Sequence, residues 1–200
     1  MPQIPYDDWS RLPAEDQSRL ASYYPLNLFR MLSHADRVGF AHIDMGRALL
    51  RGGRLDPRLR ELAILRVGHV CSSAYEVHQH RAFAARVGVS AEQIDAVLGL
   101  GDLAPLGPAW ESVIAVVDQL CHRTKPTPER LAAAQGVLSS GELVELILLI
   151  GYYMATARLL ETLEVEIEDV PPLGEALTLR PNPSSGSFLG PEQSAAAKAT

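Results

Sequence analysis

The stretch LDPRLRELAILRVGHVCSSAYEVHQHRAFAARVGVSAEQIDAV, from Leu55 to Val97, carries the strongest local signals in the chain. Its apolar residues recur every three or four positions, which is the period of a helix rather than of a strand. Asp56 followed by Pro57 predicts a helix start. A second helix is predicted to run to about Arg86 and to end at Gly88. The stretch therefore predicts an all-α fold.

Similar signals recur towards the C-terminus. Capping residues at Ser90, Thr127 and Ser139 precede further runs with helical spacing. From residue 171 onwards the chain is rich in Pro, Gly, Ser and Ala, a composition that does not favour a packed core. We predict one helical domain over residues 1–170 and an extended or disordered tail over residues 171–200.

Composition limits the classes of function. A net charge of −6 argues weakly against a nucleic-acid surface, and two cysteines are too few for a disulfide framework. The first residues lack the layout of a signal peptide. The longest apolar run, residues 143–160, includes Glu145 and Arg158, which suits a buried helix better than a membrane span. We therefore expect a cytoplasmic protein without nucleic-acid or membrane partners.

Polar side chains concentrate in the segment CSSAYEVHQH, residues 71–80. Ser73, Glu76 and His80 have the spacing of one helical face. A carboxylate one turn before a histidine can hydrogen-bond to it and raise its pKa, which suits general acid–base catalysis. The alternative is structural: Ser73 and Glu76 also have the spacing of a capping box, which would leave His80 as a buried histidine without chemistry. Spacing alone leaves both interpretations open.

Other candidate sites are weaker. His69, His78 and His80 with Glu76 could suggest a metal site, but their spacing does not put a histidine pair on one helical face, so no metal is predicted. Tyr152–Tyr153 in the last helix could line a pocket, although a place in the core is the simpler expectation.

Glu61 lies in the middle of an apolar helix. A carboxylate in such a place should be paired or should have a raised pKa. The candidate partners nearby in the sequence are three arginines, Arg58, Arg60 and Arg66.

The quoted stretch resembles the carboxymuconolactone decarboxylase and alkylhydroperoxidase D superfamily. The family pattern is a glutamate, eleven residues, a cysteine, two residues, a second cysteine, three residues and a histidine. In this sequence its positions fall on Glu61, Ser73, Glu76 and His80, and weaker likeness covers about residues 20–165. The resemblance implies an alkylhydroperoxidase D-like helical fold that assembles as a homo-oligomer, as a dimer, trimer or hexamer.

The departure from the pattern decides the predicted chemistry. The peroxidase branch uses the paired cysteines, and Ser73 and Glu76 cannot replace two thiols. Cys71 and Cys121 could pair only if their Cα atoms lay within about 7 Å. Without the two cysteines, the resemblance implies only a proton relay. It would consist of Glu61, Glu76 and His80, with the Ser73 hydroxyl as a hydrogen-bonding group.

We therefore predict a cofactor-independent enzyme of the decarboxylase, isomerase or cyclase type. Its substrate is expected to be a small carboxylated or carbonyl compound, and the decarboxylase branch of the family is known to need no cofactor. The alternatives are a peroxidase and a non-catalytic member that keeps the fold for binding or assembly. A pocket that reaches His80 would favour the enzyme, whereas a His80 packed tightly among side chains would favour the structural alternative.

Overall fold

The computed structural model of the protein describes residues 1–173, so most of the predicted tail lies outside the described residues. Within this range the chain forms nine α-helices and two short 3-10 turns, and it contains no strand. The predicted all-α fold is therefore confirmed. The helices are α1 (Ala14–Ala21), α2 (Asn27–Leu32), α3 (Asp36–Arg51), α4 (Pro57–Val70), α5 (Ala74–Arg86), α6 (Ala91–Val97), α7 (Gly107–His122), α8 (Pro128–Gln135) and α9 (Ser140–Thr162).

Most of the predicted helix ends are confirmed by local hydrogen bonds. The Asp56 side chain accepts a hydrogen bond from the N–H of Arg58 at the start of α4. Complete capping boxes begin α6, at Ser90, and α9, at Ser139. Gly88, just after α5, has φ +91°, which favours glycine over any residue with a side chain. Helix α1 has no counterpart in the predictions.

Helix α4 forms the centre of the core. Its residues from Leu62 to Leu65 are completely buried, because α5, α7, α9 and α6 all pack around it. A helix that is apolar on nearly all sides is expected at such a position. Glu61, which lies on the buried part of α4 beside these residues, is therefore held away from water.

Helix α9 is partly buried and partly on the surface of the single chain. By length and composition alone it could cross a membrane, but this is weak evidence, and 44% of its most apolar window is buried in the fold. Tyr152 and Tyr153 are on its buried side. Its exposed side carries Val144, Ile147 and Leu148, which are 58%, 45% and 50% exposed.

A second apolar cluster joins the N-terminal helices. Phe29 of α2 packs with Phe40 and Ile43 of α3, and with Leu20 and Tyr23. Helix α3 also contacts α9. This arrangement places α2 and α3 beside α5 and α9, and a cavity lies where these four helices meet.

Candidate active site

A buried hydrogen bond joins His80 of α5 to Glu61 of α4. The Nδ1 atom of His80 lies 2.8 Å from Oε2 of Glu61, and neither side chain is appreciably exposed. The link between α4 and α5 is only three residues long, so the two helices pack side by side and their polar residues meet. The second oxygen, Oε1, accepts from Nε and Nη2 of Arg60 at 3.1 and 3.0 Å. Of the three arginines expected near Glu61, Arg60 is therefore its partner.

These contacts orient the imidazole ring of His80. A carboxylate held by a guanidinium on one oxygen is an acceptor, so Nδ1 of His80 donates its hydrogen to Glu61. In the neutral ring, Nε2 then carries no proton and is the basic atom. The edge of His80 also meets Tyr153 at right angles, with ring centroids 5.0 Å apart.

The predicted hydrogen bond between Glu76 and His80 is wrong. Nδ1 of His80 bonds to Glu61 instead, because Glu61 is already fixed by Arg60 and faces α5 across the helix contact. Both carboxyl oxygens of Glu76 are buried and have no hydrogen-bond partner among residues 1–173. Burial raises the pKa of Glu76 well above its usual value, and the charge of Glu161 adds to the shift. The protonated, neutral form of Glu76 is thus favoured.

The predicted capping box of Ser73 and Glu76 is also wrong. Ser73 does stand at the N-cap position of α5, but its hydroxyl makes no capping bond and has no partner among the described residues. Its ψ angle is 93°, whereas Ser90 and Ser139, which do cap, have ψ angles of 157° and 163°. The tight turn from α4 thus aims the Ser73 side chain away from the free N–H groups.

The cavity reaches both candidate acid–base groups. It has a volume of about 80 Å³, and its wall includes Glu76, His80 and Gln79 of α5. The other polar side chains of the wall are Arg47 of α3, Tyr75 of α5, and Tyr152, Tyr153 and Thr156 of α9. The remaining lining residues are apolar or glycine, and they come from α2, α3, α5, the loop before α2, the end of α9 and Leu173. Ser73 is not among the lining residues, so the structure does not bring it to the cavity with Glu76 and His80.

Sequence reasoning missed Gly46, which lines the cavity, and His42, which packs behind the wall residues Tyr152 and Thr156. A Cβ atom at Gly46 of α3 would lie 2.3 Å from the Tyr152 hydroxyl, so glycine leaves the room that this ring occupies. His42 stacks on Tyr152 with ring centroids 4.3 Å apart, and its Nε2 lies 2.8 Å from Oγ1 of Thr156. No local pattern links residues 42 and 46 to residue 152, so no sequence signal could reveal these contacts.

Residues 40–119, which include Glu61, Glu76 and His80, match the model of the carboxymuconolactone decarboxylase family. Over this stretch, which is less than half of the chain, the sequence is similar to that family. No curated protein matches the chain.

Solved structures of low sequence identity share this alkylhydroperoxidase D-like fold. An uncharacterized peroxidase-related protein from Silicibacter sp. TM1040 has a TM-score of 0.73 at 12% identity, over 84% of this chain and 92% of that one. An alkylhydroperoxidase AhpD core protein from Ralstonia eutropha JMP134 has a TM-score of 0.71 at 16% identity, over 84% and 93%. A variant of the debrominase Bmp8 in complex with 2,3,4-tribromopyrrole has a TM-score of 0.66 at 12% identity, over 88% and 95%.

The two cysteines of the chain are poorly suited to thiol chemistry. Both are free and half-buried. Burial raises the pKa of Cys71. Burial also raises the pKa of Cys121, to about 12. A peroxide-reducing cysteine needs a lowered pKa, because the thiolate is the attacking species.

The histidines of the described residues do not form a metal-binding cluster. Among residues 1–173, no cluster of three or more His, Cys, Asp or Glu side chains is placed to hold a metal ion. His69 is exposed on α4, and His80 is buried against Glu61.

A strap of residues Glu164–Leu173 follows α9 and runs past the cavity. Its Pro171 carbonyl accepts a hydrogen bond from the Tyr24 hydroxyl at 2.7 Å. Its last described residue, Leu173, is buried, lines the cavity and donates its N–H to Oε1 of Gln79 at 3.0 Å. Leu173, the third residue of the predicted tail, is therefore packed against the body of the protein.

Proposed function

We propose that this protein is a cofactor-independent acid–base enzyme that acts on a small carbonyl or carboxylated substrate. The observation that carries the proposal is that two complementary groups line one cavity. His80 is a histidine oriented as a base by Glu61, and Glu76 is a buried carboxyl group that favours its protonated form. Two titratable groups whose surroundings favour opposite roles are a common arrangement for acid–base catalysis.

The first step uses His80 as the base. Its Nε2 takes a proton from the carbon next to a substrate carbonyl, and the imidazolium that forms is stabilised by the Glu61 carboxylate at Nδ1. Arg60 keeps Glu61 in place and satisfies its second oxygen. The pair thus supplies a base whose orientation is fixed before substrate arrives.

The second role belongs to Glu76. As a neutral acid in a largely apolar cavity, it donates its proton to the carbonyl oxygen on which negative charge develops. Removal of the carbon-bound proton and protonation of the oxygen together give an enol. In a β,γ-unsaturated ketone, the imidazolium returns the proton to the γ-carbon of the dienol while the Glu76 carboxylate takes back the proton of the enol hydroxyl, and the double bond moves into conjugation. In a β-keto acid, loss of CO₂ from the carboxylate with proton donation by Glu76 to the ketone oxygen gives the enol of the product ketone without the first proton transfer.

The size of the cavity bears on the substrate. A volume of about 80 Å³ is about half of the roughly 150 Å³ that holds a benzene molecule in an engineered apolar cavity. A ring-sized substrate therefore requires the wall to move. Most of the free surface inside the cavity is apolar, so a largely apolar substrate with few polar substituents fits best.

The proposal can be tested by proton exchange. The full chain is incubated in D₂O with a panel of small oxo acids and lactones, and deuterium incorporation is followed by NMR. Glu76→Gln and His80→Asn should each lower the exchange rate by about 10²–10⁴ on the substrates that react. The double variant should be little worse than the worse single variant, because the two groups act in one step.

His122→Asn is the matched control, because His122 is exposed on α7 and does not line the cavity. It should exchange substrate protons at the wild-type rate. Circular dichroism confirms that each variant is folded. Full exchange activity in folded Glu76→Gln and His80→Asn variants would refute the proposed roles. A folded wild-type protein that exchanges no substrate of the panel would favour the non-catalytic alternative.

A further inference from the structure

The carboxylate of Glu168, in the strap, is held by donors from two different parts of the fold. Its Oε1 accepts hydrogen bonds from the backbone N–H of Asn27 and from the hydroxyl of Tyr75. Its Oε2 accepts from Nε2 of Gln79 at 3.0 Å. A carboxylate with three donors is well satisfied, and hydrogen bonds to a charged acceptor are the stronger kind.

Two of these donors, the side chains of Tyr75 and Gln79, belong to the wall of the cavity. Tyr75 and Gln79 lie one turn apart on α5, are only 4% and 5% exposed, and line the same cavity as Glu76 and His80. A Glu168 side chain that moved away would leave a buried hydroxyl and a buried amide without this acceptor. Such unsatisfied groups are costly, so the position favours occupation by some carboxylate.

The first part of the strap is anchored independently of Glu168. Val165 is buried, and Glu166 accepts a hydrogen bond from the Asn27 side chain at its carbonyl, donates its N–H to the Tyr6 hydroxyl and forms an exposed ion pair with the N-terminal amine. The part of the strap after Glu168 is held by the hydrogen bonds of Pro171 and Leu173. Ile167 and Val170 of the strap are exposed. Leu173 is the part of the strap that enters the cavity wall. Release of the strap would therefore remove one wall and enlarge the cavity.

We propose that the strap is a lid over the cavity, latched by Glu168 in a carboxylate-binding site that a small free carboxylate can occupy in its place. The inference concerns access to the cavity and holds whatever reaction Glu76 and His80 serve. It also explains how a cavity of about 80 Å³ can admit a larger molecule.

Acetate is the matched probe for this site. Replacing Glu168 by alanine removes Cγ, Cδ and two carboxylate oxygens, which are the same heavy atoms as those of acetate. In the wild-type protein the tethered Glu168 side chain competes with any free carboxylate at an effective concentration on the order of millimolar or higher. The vacated site of Glu168→Ala should therefore bind acetate much better than the wild-type site.

The latch is tested by hydrogen exchange on the full chain. In Glu168→Ala the amide of Leu173 should exchange about tenfold faster or more, since hydrogen bonds to a charged group are lost. Glu166→Gln is the control, because the Glu166 side chain is exposed and does not contact Tyr75 or Gln79. Its Leu173 amide should exchange at the wild-type rate. Wild-type exchange in Glu168→Ala would overturn the latch.

The carboxylate site is tested by thermal unfolding. Sodium acetate should raise the Tm of Glu168→Ala in a saturable way, and half of the effect should need at least about tenfold less acetate than in wild type. Adding Tyr75→Phe should weaken this response about tenfold. An equal response to sodium chloride at the same ionic strength would overturn the site.

A second variant covers the case in which Glu168→Ala does not fold. Glu168→Gln fills the site with a neutral group of the same size. It should speed the exchange of the Leu173 amide and give no acetate response, because no space is vacated. A saturable acetate response in Glu168→Gln, or unchanged exchange, would contradict the proposal. Neither measurement depends on enzyme activity, so the outcome is independent of the proposed reaction.

Discussion

Oε2 of Glu61 accepts a hydrogen bond from Nδ1 of His80 over 2.8 Å, and this bond joins two helices rather than two turns of one helix. The same carboxylate is held by Arg60. The orientation of the histidine is therefore set by α4, while its access to the cavity is set by α5. The bond fixes which ring nitrogen is basic, and this can be measured without knowing the substrate.

Glu61→Gln should disturb both the tautomer of His80 and the stability of the fold. The wild-type ring should carry its proton on Nδ1 in its neutral form, as measured by the nitrogen chemical shifts of labelled histidine. The variant should lose this preference, because a glutamine side chain can donate as well as accept. It should also lower the free energy of unfolding by about 3–5 kcal/mol, since Arg60 loses its partner in a buried pair.

Glu92→Gln on the exposed start of α6 is the control for this experiment. It should change neither the His80 shifts nor the stability. An unchanged Nδ1–H tautomer in Glu61→Gln would mean that another contact orients the ring.

The raised pKa of Glu76 predicts how stability changes with pH. The unfolded carboxyl has a pKa of about 4.3, so above that pH the folded state binds more protons than the unfolded state. Stability therefore falls as the pH rises from about 4.3 through the folded pKa. Glu76→Gln cannot ionise and lacks this fall. In chemical denaturation, its stability relative to wild type should increase with pH by at most about 1.4 kcal/mol per unit. Parallel pH curves for the two proteins would contradict the assignment.

Ser73→Ala should cost little stability or should stabilise the protein. The Ser73 hydroxyl is buried without a partner, so its removal deletes an unsatisfied group rather than a capping bond. Ser90→Ala and Ser139→Ala are matched comparisons, because each breaks a complete capping box. Each should lower the free energy of unfolding by about 0.5–2 kcal/mol. A loss of the same size in Ser73→Ala would show that its hydroxyl has a partner after all.

The two thiols should react slowly in the folded protein. Burial raises the pKa of Cys71 and raises that of Cys121 to about 12, so little thiolate is present at neutral pH. Alkylation by iodoacetamide at pH 7.5 should be slower in the native protein than after denaturation, and the native rate should rise with pH. Serine at both positions should leave any native activity intact. Rapid native labelling of Cys71, or peroxidase turnover that Cys71→Ser abolishes, would restore the peroxidase alternative.

The exposed apolar side of α9 predicts self-association. Val144, Ile147 and Leu148 form a stripe one to four residues apart that is at least 45% exposed at each position in the single chain. Contiguous apolar surface of this kind commonly marks an interface between chains. We expect wild type to sediment as an oligomer, and Ile147→Glu combined with Leu148→Glu to shift it towards the monomer.

Val38→Glu on α3 controls for the added charge, since Val38 is itself 74% exposed. It should leave the sedimentation of the oligomer unchanged. A wild-type monomer at micromolar concentration would rule out the predicted assembly.

The sequence predicted those features of the fold that depend on neighbours along the chain. Asp56, Ser90 and Ser139 cap their helices as expected, because each signal needs only a few adjacent residues. Ser73 carries the same signal and fails, because the tight turn after α4 sets its ψ angle to 93°. Sequence spacing shows which residue types are present at a helix start. It does not show the backbone angle that determines where a side chain points.

The sequence predicts which residue types form the candidate site, but not which of them hydrogen-bond to each other. Glu61, Glu76 and His80 were found by spacing and resemblance, yet the bond between Glu61 and His80 spans 19 positions. The bond from Tyr75 to Glu168 spans 93 positions and was not foreseen. Such contacts depend on how helices pack, and a single sequence contains no period that reveals them.

The cavity wall extends beyond the part of the chain that matches the family. Glu61, Glu76 and His80 fall within residues 40–119, whereas Phe29, Tyr152 and Leu173 fall outside it. Mutations in those outer segments can reshape the cavity without altering any acid–base group. Chains that share Glu61, Glu76 and His80 can therefore differ in the shape of this cavity.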